Sequence, residues 1–202
     1  MKTILSIFVL ISSWAVGADV PGGLMRTGTA VKPETYELVL SPAIVMAPTG
    51  AYLSSELRYQ ASEEFETGFG FGAGEVGFNF GGHGTWLIFP DTDSQPALGV
   101  LGGLFFNRLD LNNYFVVKLA PFLSETVMTT WGTLTPYGGL HISPSFRLGE
   151  NPGNLVSLRA SGGLQFLIKA LNGMGLLTEA GLGIANSSHE LLIGVTYPLE
   201  KM

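Results

Sequence analysis

Glu75-Val-Gly-Phe-Asn-Phe-Gly-Gly-His-Gly-Thr-Trp-Leu-Ile-Phe89 is the stretch that decides the fold class. Val76, Phe78, Phe80, Trp86 and Ile88 occupy one parity, while Glu75, Gly77, Asn79, Gly81, His83 and Thr85 occupy the other. Successive side chains of a strand point to opposite faces, so this reads as a strand with one apolar face and one small or polar face. The alternation returns from Leu134 to Leu148, from Val156 to Lys169 and from Glu190 to Leu199. Tyr36 to Met46, Tyr52 to Ala61, Phe65 to Ala73, Ala97 to Asn107, Tyr114 to Leu123 and Met174 to Ala185 bring the expected total to ten strands. Turn formers separate them, among them Pro48-Thr-Gly50, Pro90-Asp-Thr-Asp93, Asn172-Gly173 and Asn186-Ser-Ser188.

Strand length sorts the all-β architectures. Several segments hold their parity for 11 to 15 residues, whereas sandwich strands run to roughly 5 or 6 and a tilted membrane strand needs about 9–11. The expected fold is therefore a single antiparallel transmembrane β-barrel. The 169 residues from Glu34 to Met202 give about 17 per strand and turn for ten strands; an even count is the rule for single-chain bacterial barrels, which leaves eight and twelve as the competing counts. A soluble periplasmic β-barrel binding a small ligand, with its apolar parity turned inward, is the alternative.

Composition narrows the function. Lys and Arg number 10 against 16 Asp and Glu, an acidic balance that argues against nucleic acid as a partner. Gly reaches 28 residues, and the charged fraction of 13% is about half that of ordinary soluble proteins. The chain has no Cys, which removes disulfides, cysteine-ligated zinc, iron–sulfur clusters and thiol catalysis. Met1-Lys-Thr3, the apolar run Ile4 to Val16 and the small residues before Asp19 read as a cleaved signal peptide, residues 1–18. Residues 19–33 then form an N-terminal periplasmic segment, and 34–202 the barrel. No later stretch has 18 uninterrupted apolar residues, so membrane insertion requires strands.

With its leader, its final amphipathic strand and Gly- and aromatic-rich segments such as Leu134-Thr-Pro-Tyr-Gly-Gly-Leu-His-Ile142, the mature chain resembles the small outer-membrane β-barrel proteins of Gram-negative bacteria. The resemblance implies an outer-membrane location, contact with outer-membrane lipid, insertion by the barrel assembly machinery, and a role as a structural component or a narrow passive transport path for a small solute. His141-Ile-Ser143 is similar to the His-x-Ser pair of outer-membrane lipid A deacylases. That second likeness implies Ser143 as nucleophile, His141 as base and Glu150 as orienter, although the parity turns the pair toward the lumen.

If the apolar parity faces lipid, Glu56, Arg58, Glu66, Glu75, Lys118, Arg147, Arg159, Lys169, Glu179 and Glu190 face inward. Unpaired buried charge is costly, so these five acids and five bases are expected to pair and plug a narrow barrel. A conducting lumen would instead use the space left by Gly68, Gly70, Gly72, Gly77, Gly139, Gly163, Gly181 and Gly183. His83, His141 and His189 fall on different strands and form no ligand spacing, so neither a metal nor a cofactor is expected. Trp86, Trp131, Tyr36, Tyr52, Tyr114, Tyr137 and Tyr197 are expected as interfacial anchors. Pro121, Pro136, Pro144 and Pro198 are expected at strand ends or bulges, because proline cannot donate to a ladder.

Overall fold

The computed structural model describes residues 33–46, 49–92, 95–109, 111–149, 153–171 and 173–199. The predicted leader and all but Pro33 of the segment behind it lie outside the described residues. The alternating segments form β1 (Tyr36–Met46), β2 (Thr49–Gln60), β3 (Phe65–Gly74), β4 (Gly77–Phe89), β5 (Ala97–Leu109) and β6 (Asn112–Ser124). They continue as β7 (Val127–Met128), β8 (Gly132–Leu148), β9 (Asn154–Ile168), β10 (Gly175–Ala185) and β11 (Glu190–Leu199).

Each long strand pairs antiparallel with its neighbours, and β1 pairs with β11 while β6 pairs with β8. The result is an all-β, closed antiparallel barrel of ten long strands. The two-residue β7 only extends the edge of β8, and Lys169–Leu171 forms one 3-10 turn. We call the end that carries Tyr36 and Leu199 the near rim and the opposite end the far rim.

The parity read from the sequence is the barrel's inside and outside. In β1 the buried residues are Glu37, Val39, Ser41, Ala43 and Val45; in β10 they are Gly175, Leu177, Glu179, Gly181 and Gly183. The opposite parity is half exposed and apolar all round, as with Ile44 at 57%, Leu53 at 57%, Phe69 at 58% and Ile193 at 54%. A water-soluble barrel would have these faces reversed, so the chain is built to stand in a membrane. Thr67, a polar residue on this outer face, donates its hydroxyl to the His83 carbonyl at 3.0 Å, which satisfies it without water.

Three expectations need correction. The segment beginning at Glu75 starts two residues later, because Glu75 and Val76 are the β3–β4 turn; Gly77 enters β4 with φ at 129°, a conformation closed to most side chains. Tyr52 and Tyr137 are lumen residues at 3% and 6% exposure, not interfacial anchors. Pro121, Pro136 and Pro144 stand inside β6 and β8, and only Pro198 lies at a strand end.

Candidate functional site: a charged belt in the lumen

Across the middle of the barrel the inward side chains are ionisable. Arg58 on β2 donates through Nε to Glu56 Oε1 at 2.9 Å and through Nη2 to Glu56 Oε2 at 3.1 Å. Its Nη1 lies 3.8 Å from Glu37 Oε2 on β1, and His83 Nε2 on β4 lies 3.1 Å from Glu56 Oε1. Glu66 on β3 interacts electrostatically with Arg58, and Lys118 on β6 does so with Glu56. On the other side, Arg159 Nη1 of β9 contacts Glu190 Oε1 of β11 at 2.8 Å, and the Tyr137 hydroxyl of β8 donates to Glu179 Oε2 of β10 at 3.1 Å. The forked guanidinium suits this work, since it binds a carboxylate through two parallel donors.

The belt lies between apolar layers. Leu87, Ala97, Leu101 and Phe122 are buried toward the near rim, while Val45, Tyr52 and Val76 are buried toward the far rim. Tyr52 also donates to Asn79 Oδ1 at 2.5 Å.

The inward glycines are sockets for these large side chains. A Cβ at Gly72 would run into the Tyr52 ring, one at Gly163 would meet the Tyr137 ring at 2.6 Å, and one at Gly68 would lie 2.9 Å from His83 Nε2. At Gly181 it would lie 3.0 Å from Arg159 Cδ and 2.9 Å from Glu190 Cγ. The space that a conducting reading would assign to Gly68, Gly72, Gly163 and Gly181 is therefore already occupied. A pocket beside Glu56, Gly70, Asn79 and His83 measures about 10 Å³, room for one water molecule at most.

Seven of the ten charges expected inside, Glu56, Arg58, Glu66, Lys118, Arg159, Glu179 and Glu190, are buried in the lumen. Arg147 is inward but near the far rim, where it donates to Asn112. Two placements are corrected. Glu75 is exposed in its turn, where Oε2 accepts from the Ala51 amide at 2.9 Å; Lys169 is exposed in the 3-10 turn, where β9 has already ended. Glu37 belongs to the belt and was missed. Its strand carries apolar Val39, Ala43 and Val45 on the same inward face, so polarity alone did not mark that parity as the lumen. The expected balance of five acids and five bases becomes five buried acids against Arg58, Lys118 and Arg159 among the described residues.

His141 and Ser143 are both inward, at 1% and 0% exposure. His141 Nε2 is bonded to Ser161 Oγ on β9 at 2.8 Å, and the Ser143 hydroxyl has no hydrogen-bond partner. His141 thus reaches the diagonal neighbour across the β8–β9 ladder and not Ser143 on its own strand. Glu150 lies outside the described residues. No group of His, Asp and Glu among the described residues has the arrangement of a metal site.

No family model matches the chain, and no curated protein is similar to it. Among solved structures, one described as "De novo design of transmembrane beta-barrels" is 13% identical with a TM-score of 0.43, covering 85% of this chain and all of that one. The KdgM porin is 8% identical with a TM-score of 0.43, over 81% of this chain and 99% of the porin.

Proposed function

We propose that this protein is an integral outer-membrane β-barrel of a Gram-negative bacterium, exported by a cleaved leader and inserted by the barrel assembly machinery. It serves there as a structural component whose axial path is closed. Glycine sockets filled by Tyr52, His83, Tyr137 and Arg159 carry this reading, because large side chains take the space that the missing ones would leave. Small barrels fill their interiors with side chains in this way. Any passage is a narrow one for ions or water, and the excess of buried acids favours cations.

Planar-bilayer recording of the refolded mature chain tests this. The wild type should give no steady conductance, whereas Arg58→Ala and Arg159→Ala should give stepwise, cation-selective currents. A stable, well-resolved channel in the wild type would replace the closed reading with that of a small porin.

A further inference from the structure

The outer wall formed by β3, β4, β5, β6 and β8 is dented by a groove of about 850 Å³. Its floor is Gly82, Gly84 and Gly102, and a Cβ at Gly102 would meet nothing within 4 Å; Phe65, Leu104 and Leu119 form its sides. Along one edge runs the β6–β8 seam, reached at Val117, Ile142 and Pro144.

That seam is broken. One register runs from Asn113 opposite Leu148 to Ser124 opposite Tyr137, but no bridge forms at Val117 and Pro144, Lys118 and Ser143, Ala120 and His141, or Pro121 and Leu140. The cause is in the sequence. Glu125 donates to the Pro136 carbonyl at 3.1 Å, while Arg147 donates to Gly153 at 2.8 Å on the other side of β8. Donors therefore point into the seam from odd residues of β6 and even residues of β8. Pro121, Pro136 and Pro144 hold positions of that kind, and proline has no donor to give. The β8–β9 ladder passes the same two β8 prolines unbroken. The other closing seam, between β1 and β11, lacks bridges only at Ser41 and Pro42. In hydrocarbon no water replaces a withheld donor, so a ladder interrupted twice within five residues is the weak line of the wall.

Behind it stands Ser143, fully buried, with an unpartnered hydroxyl opposite Lys118 at one of the missing rungs; His141 Nδ1, at another, also lacks a partner. In front of it the groove opens on a face of exposed Leu, Ile and Phe, where the surrounding phase supplies hydrocarbon chains. The glycine floor gives such a chain contact with the backbone. We propose that the groove binds one acyl chain of a membrane lipid, and that the β6–β8 seam is where the wall parts to admit that chain toward Ser143. This takes from the preceding section only that the barrel stands in a bilayer, and it leaves the axial closure untouched.

The test uses the full mature chain in phosphatidylcholine vesicles containing a phosphatidylcholine with a diazirine at the end of one chain. Labelled peptides are mapped by mass spectrometry, and heat-modifiable gel mobility confirms that each variant has folded. In the wild type, label should concentrate on Leu104 and Leu119, above the outward pair Leu57 and Phe69, and should also reach the segment from His141 to Ser145. Leu119 and Ile142 face each other on an intact rung, so the L119C/I142C variant can be closed by a disulfide. Oxidation should abolish the inner label, and reduction should restore it. Gly102→Leu, which fills the groove, should lose both labels.

Equal labelling of Leu57 and Leu104 would mean ordinary surrounding lipid, and an inner label indifferent to the disulfide would mean that the seam is not the route; either overturns the proposal. So would disulfide-linked dimers of a Leu104→Cys variant that exclude the probe, since a second copy would then occupy the groove. Axial conductance is unchanged by any of these results, so the closed-lumen reading stands or falls separately.

Discussion

The two faces of the wall from β3 to β5 use the same residue for opposite ends. Inward, Gly68, Gly72, Gly99 and Gly103 are each pressed by a neighbour: His83, Tyr52, Phe122 and Phe105 respectively. Outward, Gly102 meets nothing and Gly82 meets only a backbone carbonyl at 3.4 Å. A missing side chain is thus a socket where the barrel must close on itself and a dent where it faces lipid. Parity, not composition, separates these two sets of glycines, because one step along a strand exchanges lumen for hydrocarbon.

Breaking the inner face should cost most at its charges. Arg58→Ala removes the guanidinium that Glu37, Glu56 and Glu66 share, and loss of one partner from a buried ion pair typically costs about 3–5 kcal/mol. The urea midpoint in lipid vesicles should fall accordingly, and further than for Arg159→Ala, which leaves fewer carboxylates behind. Next comes Gly72→Ala, whose methyl must displace the Tyr52 ring; overpacking of this kind costs about 1–3 kcal/mol, read from the same unfolding curves. Tyr137→Phe removes one hydrogen bond to Glu179 while keeping the ring in its Gly163 socket, a loss of about 1–2 kcal/mol. Gly102→Ala sharpens the contrast from the other side. Its methyl finds open space on the outer face, so stability should change by less than about 1 kcal/mol and rise if anything. Equal losses at Gly72 and Gly102 would abolish the distinction between socket and dent.

The strands were legible because a barrel wall between lipid and a polar interior imposes period two on nearly every residue. Tyr36–Met46 falls where its alternation placed it, and Ala97 and Phe65 begin their strands as read. Inside and outside were legible for the same reason. Pairing was not. Arg58 finds Glu56 on its own strand and Glu37 across the ladder, and Tyr137 finds Glu179 two strands away. The meetings between strands depend on register and on barrel curvature, which no one strand encodes. The ends of the count were also blind: parity carried two residues too far at Glu75 and one too far at Lys169 put both in the lumen, where the chain does not place them. Proline misled in a different way. The rule that keeps it from strands assumes two equal neighbours, whereas Pro144 leaves the β8–β9 ladder whole and impairs only the β6–β8 side.

The topology also orders assembly in time. Every ladder but one joins strands that follow each other along the chain, with only the short β7 intervening between β6 and β8; the exception is β1 with β11, whose partners come from opposite ends. Loop-closure entropy and contact order are therefore concentrated in that one step. Hairpins can form as the chain arrives, whereas the last ladder must wait for both termini, and Pro42 leaves it two rungs short. The slow phase of folding should accordingly follow the meeting of β1 with β11, making that ladder the kinetic bottleneck of a meander whose other steps are local.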